Sequence, residues 1–242
     1  MRVAVLSDVH SNIEALDAVL AAADEARCER VIVLGDIVGY GPDPDAVIDR
    51  LREREAVAIA GNHDLAAIGA FDVRWFNEVA SAAIAWTSET MSPEGKDYLG
   101  SLRPTRDTEH GLLVHGSVRD PVAEYVLSAE EATASFDLAG FTVAFFGHTH
   151  LPTVFRRRSD GHVTGWVMDE GEEVVLAPGE RYMLNPGSVG QPRDRDPRAS
   201  FLVWEGERAV GHRVVYPIEE TARKIRAAGL PEWLAQRLSI GQ

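Results

Sequence analysis

The 242 residues carry 38 acidic and 24 basic side chains, a formal net charge of -14 that opposes loose attraction to nucleic acid or an anionic membrane surface. Apolar residues at 45% and charged residues at 26% describe a globular chain able to bury a substantial core. The lone cysteine, Cys28, excludes an intrachain disulfide and fits a reducing compartment.

The opening "MRVAVL" is apolar, but Asp8 and His10 interrupt it before a secretory signal forms. No later run reaches the roughly 18 apolar residues of a membrane span, so a cytoplasmic protein without membrane contact is expected. "RVAVL" (2–6) reads as a buried first strand. Residues 11–26 place Ile13, Leu16, Val19 and Leu20 at helical spacing, with Ser11 and Glu14 as a capping box. "RVIVLG" (30–35) is a second strand, 44–54 a helix opened by Pro44, and "AVAIAG" (56–61) a third strand. Strands alternating with helices predict a largely parallel βαβα layer.

Residues 75–103 read as helical, with a fresh start at Ser92 and Pro93. "GLLVHG" (111–116) is a strand, 128–139 a helix with a Ser-x-x-Glu cap, and "FTVAFFGHTH" (141–150) a return to the sheet. After that, six short β-like runs from "TVFRRR" to "ERAVGHRVVY" suggest a second, more antiparallel sheet. Residues 218–240 close the chain with helices broken near Gly229-Leu230-Pro231. No linker divides the sequence, so residues 1–242 read as one domain.

Several strands end in an acid, amide or histidine. These are Asp8 and His10 in "SDVH", Asp36 in "GD", Asn62, His63 and Asp64 in "GNHD", His115 in "HG", and His148 and His150 in "GHTH". Ligands bind beyond the carboxyl ends of parallel strands, so these side chains should converge at one edge. If strand geometry persists through "GHTH", His148 and His150 share a face. Each motif alone is as well explained by a turn or helix cap. Together they would bury many ionisable groups, which is costly unless a metal or mutual pairing compensates. Oxygen and nitrogen donors without thiolate favour Mn²⁺, placed first here, or Fe, Zn or Ni. The donors outnumber what one tetrahedral zinc takes, which favours two ions bridged by a carboxylate. His110, His162 and His212 read as ordinary loop or strand-face residues.

In this order, "DVH", "GD", "GNHD", "HG" and "GHTH" resemble the calcineurin-like metallophosphoesterase superfamily over roughly residues 1–200. "GDIVGYGPDP", "HGSVRDPVAEYV", "FFGHTHLP" and "NPGSVGQPRD" further resemble its YfcE-like branch of small phosphodiesterases, relatives of diadenosine tetraphosphatases. The resemblance implies a four-layer α/β/β/α sandwich of two mixed sheets flanked by helices. It implies one metal on Asp8, His10, Asp36 and His150, and a second on Asp36, Asn62, His115 and His148. His63 would be the catalytic histidine, oriented by Asp64. The activity implied is hydrolysis of a phosphodiester or phosphoanhydride, in a nucleotide, by attack of a metal-bridging hydroxide.

Substrate contacts expected from the residues are Arg119 and Arg193 as phosphate clamps, Asn185 and the Gly187-Ser188 turn as anion donors, and Tyr40 as a stacking ring. The ordinary alternative pairs the arginines with Asp120, Asp194 or Asp196 and packs Tyr40 and Tyr125 into the fold. Phosphomonoesterase or protein phosphatase activity is a second reading, and a non-catalytic interaction scaffold a third. The C-terminal helices are candidates for a homo-oligomer contact, although such helices more often pack on their own domain.

Overall fold

In β1 (Val3–Leu6) of the computed structural model, which describes residues 1–242, alternate side chains enter different cores. Ala4 and Leu6 pack with Val31 and Val33 of β2 (Arg30–Val33) against α1 (Ile13–Glu25) and α2 (Pro44–Glu53). Val3 and Val5 face the other way, toward Phe145, Val154, Tyr182 and Leu184 of a second sheet. Two sheets therefore stack face to face.

The first sheet runs β3 (Val57–Ala58), β2, β1, β11 (Ala199–Glu205), β12 (Arg208–Val214), β9 (Glu173–Val175). Its β3-β2-β1 part is parallel and the remainder antiparallel. The second runs β4 (Thr105–Thr108), β5 (Gly111–Val114), β6 (Val143–Phe145), β10 (Arg181–Pro186), β7 (Pro152–Arg157), β8 (Val163–Val167). Strands β5, β6 and β10 are parallel there. The outer face of the second sheet, with Ala144, Phe146 and Met183, is covered by Ala132 and Phe136 of α6 (Ala129–Leu138). The result is the expected four-layer α/β/β/α sandwich.

The six late runs are all strands, but they do not form a sheet of their own. β9, β11 and β12 extend the first sheet and β7, β8 and β10 the second. Local patterning sets strand character; register partners are set by long-range packing. The third strand is also shorter than expected, two residues rather than six.

Helix caps follow local chemistry in most places. Ser92 Oγ accepts the Gly95 N–H at 3.0 Å at the start of α5 (Pro93–Ser101), with Pro93 in the first turn. Ser128 and Glu131 form the expected box on α6. The cap of α1 is different: Asn12 Oδ1 accepts the Ala15 N–H at 3.1 Å. Ser11 is left-handed, with φ 53°, and its N–H is held by the Ile37 carbonyl, so its side chain does not cap. Glu14 instead reaches Thr221 and Lys224.

The stretch 62–103 holds α3 (Asn62–Ala67), a 3₁₀ turn at Val73–Trp75, α4 (Glu78–Thr90) and α5. The helix expected from residue 75 begins only at Glu78, where Asn77 caps it. After Gly229 the chain breaks as expected between α7 (Ile218–Ala227) and α8 (Glu232–Gln236). Both pack with α4 around Tyr40, on their own chain. No helix is long and apolar enough to cross a membrane.

Candidate metal centre

The loops that leave the parallel strands bring all the expected donors to one edge. Asp8 and His10 follow β1, Asp36 follows β2, and Asn62 and His63 open α3 after β3. His115 follows β5, and His148 and His150 follow β6. All are buried. Asp8, His10, Asp36, His148 and His150 have φ between 50° and 65°, the left-handed region that costs a non-glycine residue about 1–2 kcal/mol. Strand geometry thus stops at Phe145, and His148 and His150 do not share a strand face. Strained backbone of this kind clusters where surrounding structure over-determines it, often at functional sites.

Two of the glycines are needed for close approach. A Cβ on Gly61 would lie 2.1 Å from Asp36 Oδ1, and one on Gly147 would lie 2.0 Å from Ser7 Oγ. These contacts explain the glycines of "GNHD" and "GHTH".

Donor atoms fall into two groups that share Asp36. Asp8, His10, Asp36 and His150 form one, and Asp36, His115 and His148 the other. Asn62 joins the second group, with Oδ1 3.1 Å from His115 Nε2. Asp36 Oδ2 lies 3.7 Å from His10 Nε2 and 3.4 Å from His115 Nε2, while Oδ1 accepts the His63 N–H at 2.9 Å. One oxygen of Asp36 therefore faces both groups.

The outer ring nitrogens fix the tautomers. His10 Nδ1 is 3.1 Å from the Val38 carbonyl, His115 Nδ1 2.8 Å from Leu34, His150 Nδ1 2.5 Å from Gln191, and His148 Nε2 3.1 Å from Ala123. A carbonyl only accepts, so each outer nitrogen carries the proton and each inner nitrogen presents a lone pair. Inner nitrogens then face each other at 3.1 Å in the His10–His150 and His115–His148 pairs. His150 Nε2 also lies 3.2 Å from Asp8 Oδ1, an oxygen that no hydrogen bond satisfies. Converging lone pairs repel unless a cation or proton lies among them, so the donor set fits metal ions.

Protonation preferences follow the same conflict. Burial holds His10 and His150 below the usual range and His148 at about 3. Burial also acts to lower His115, but Asp36 and Asp8 outweigh it and raise that ring to about 9. For Asp8 and Asp36 burial favours the neutral acid, yet the surrounding histidines keep both carboxyls below their ordinary value. Anionic carboxylates with mostly neutral imidazoles are the forms that ligate divalent ions.

His63 lines a cavity of about 150 Å³ beside this cluster, together with Asp36, Asn62, His148, His150, Tyr40 and Arg193. Burial pulls His63 down to about 4. Its Nδ1 is buried without a partner against Gly39, leaving Nε2 as the ring atom available to the cavity. Asp64 does not orient that ring. Its Oδ1 accepts from Val38 N at 3.0 Å and its Oδ2 from Gly61 N at 2.9 Å, so it ties the loop after β2 to the turn after β3.

The expected substrate contacts divide. Arg193 lines the cavity and pairs with no carboxylate, because Asp194 binds Arg213 and Asp196 binds Arg198. Arg119 lies outside it, exposed and paired with Glu124. Asn185 is also excluded: it is fully buried, and its amide supports the Gly147 carbonyl and Thr149. The Gly187 N–H is used on Asn185 and Ser188 Oγ on the Asp8 carbonyl, and neither residue lines the cavity. Tyr40 lines the cavity, but its ring is packed against His10 and His63. Phe71, Trp75 and Phe76 also line it and were not anticipated; Tyr125, weighed with Tyr40 but expected to pack into the fold, lines it as well. "WF" had the look of a helix start, and no spacing rule ties Tyr125 to His148, on which it stacks.

Comparison with known proteins agrees with this geometry. Residues 1–208 match the model of the calcineurin-like phosphoesterase superfamily domain. Protein MJ0912 of Methanocaldococcus jannaschii, which is uncharacterized, is 32% identical over 246 residues, covering 99% of this chain and 98% of its own. The phosphodiesterase YfcE of Escherichia coli K12 is 23% identical over 207 residues, 81% of this chain and 84% of its own. The crystal structure of a metallophosphoesterase from Sphaerobacter thermophilus superposes with a TM-score of 0.88 at 41% identity, covering 100% of this chain and 99% of the other. With its donor set intact and its fold shared along the whole length, this chain belongs to the calcineurin-like phosphoesterase superfamily and is a metal-dependent phosphoesterase.

Proposed function

We propose that the chain hydrolyses a phosphodiester or phosphoanhydride bond in a nucleotide, with two divalent ions bound. The observation that carries this reading is the shared carboxylate: Asp36 Oδ2 lies within 3.7 Å of donors from both groups. Asp8, His10, Asp36 and His150 would hold one ion, and Asp36, Asn62, His115 and His148 the other. Manganese is the first choice, with iron, zinc or nickel as alternatives. Bound there, the ions supply Lewis acidity toward phosphoryl oxygens and hydroxide at neutral pH.

The protein's own part is positioning. The outer carbonyls hold each imidazole in the tautomer that presents its lone pair inward. His63, which burial holds at about 4 and so keeps neutral, would donate an Nε2–H hydrogen bond to the leaving oxygen and stabilise the negative charge that develops as its bond to phosphorus breaks. Arg193, free of any carboxylate, holds a non-reacting phosphoryl oxygen. A small phosphorylated substrate suits a cavity of about 150 Å³ better than a protein surface does. In this reading the protein is cytoplasmic and residues 1–242 act as one domain, the latter supported by the packing of α7 and α8 around Tyr40.

The test uses chelator-stripped protein, bis(p-nitrophenyl) phosphate, and each divalent metal added back. Wild type should recover activity and bind two ions per chain, and Asp36→Asn should lose both. Full two-ion occupancy in Asp36→Asn would contradict the shared carboxylate. A wild type silent with every metal would overturn the phosphodiesterase reading.

A further inference from the structure

Five aromatic side chains line the cavity beside the metal centre, and they differ in how much of each ring is already used. Tyr40 is 8% exposed, with His10 and His63 at 4.6 and 4.4 Å. Phe76 meets His63 at 4.9 Å and Phe71 at 5.9 Å. These three rings belong to the wall. Trp75 is 78% exposed, and its indole makes neither a hydrogen bond nor a ring contact. Tyr125 stacks one face on His148, with centroids 3.9 Å apart and planes at 22°, yet remains 46% exposed.

Large exposed aromatic rings are scarce elsewhere. Only Trp75, Tyr125 and Trp233 have more than a third of their surface open, and two of the three line this one cavity. They come from separate segments: Trp75 from the 3₁₀ turn before α4, Tyr125 from the loop between β5 and α6. The Trp75 turn is fixed locally by Asp72, which caps the Arg74 N–H at 3.0 Å and pairs with the Arg74 side chain. The polar groups, His63 and Arg193, line the same cavity. The cavity thus combines an imidazole and a guanidinium paired with no carboxylate with open π-faces.

We propose that Trp75 and Tyr125 are specificity-determining residues that stack on a planar aromatic group of the substrate, a nucleobase, attached near the scissile phosphorus. This rests on the phosphoesterase reading of the metal centre and names the part of the substrate that lies outside it. Every base has a π-face, so stacking selects for a base without reading its identity. Tyr40 is thereby replaced as the stacking ring, because its faces are already occupied by protein.

The test measures binding and hydrolysis separately on the manganese-loaded full chain. Calorimetry gives Kd for adenosine 5′-phosphate and for ribose 5-phosphate, which differ only by the base. Wild type should prefer the nucleotide by roughly 5- to 150-fold, the worth of stacking one base. Trp75→Ala and Tyr125→Ala should each shrink that ratio at least threefold, while Trp75→Phe and Tyr125→Phe retain most of it. Thermal melts of the alanine variants, beside the phenylalanine variants that keep a ring, separate loss of the ring face from loss of folding. Equal Kd values in wild type, or an unchanged ratio in both alanine variants, would overturn the proposal. Hydrolysis of bis(p-nitrophenyl) phosphate by the same preparation reports the phosphodiesterase reading independently, because the calorimetric ratio does not depend on turnover.

Discussion

Asp64 provides a direct test of how the centre is held together. Its side chain is fully buried, and both carboxylate oxygens accept backbone N–H groups, from Val38 at 3.0 Å and Gly61 at 2.9 Å. Asp64→Asn keeps the shape but converts one acceptor into an NH₂ donor. One backbone N–H then faces a donor in a site closed to water, which costs about 1–3 kcal/mol. Burial and the nearby Asp36 push the Asp64 carboxyl up to about 7, so the neutral amide also relieves some repulsion. The net loss is therefore expected near the lower end, about 1–2 kcal/mol. With an m-value of roughly 3 kcal/mol/M, the urea midpoint of metal-free protein should fall by roughly 0.3–0.7 M. The two amides flank Asp36 and Asn62, so looser loops should also weaken manganese binding about tenfold, as outer-shell changes do. Urea unfolding and calorimetric metal titration measure the two effects. An unchanged midpoint, with turnover lost at full metal occupancy, would refute this reasoning and return Asp64 to a role on the His63 ring.

Three other substitutions test separate parts of the site. His63→Ala should keep both ions and lose at least a hundredfold in kcat, because His63 lies outside both donor groups; wild-type turnover in the metallated variant would remove His63 from the chemistry. Arg193→Ala should raise KM about tenfold or more through loss of a charge-assisted phosphate contact, and an unchanged KM for a nucleotide diester would count against it. Arg119→Ala should leave kcat and KM within twofold, since its guanidinium pairs with Glu124 at the solvent-exposed surface away from the cavity; steady-state kinetics on one substrate series reads both arginines together.

The order of strands and helices was legible because it depends on local pattern. The apolar run 2–6, helical spacing of Leu16, Val19 and Leu20, and the caps at Ser92 and Ser128 each act within a few residues. The donor motifs were legible too, since chain ends of parallel strands lie at one edge of a sheet. Tertiary structure decided what depends on distant partners. Strands after residue 150 were divided between two sheets, which local β character does not specify. His148 and His150 were turned inward by left-handed backbone rather than by a strand face. Asp64 was taken by two amides, and Asn185 and Arg119 were taken by Gly147 and Glu124, because a polar side chain binds the nearest partner the fold supplies. Trp75 and Tyr125 reached one cavity from segments 50 residues apart in sequence, a neighbourhood that only the packed chain creates.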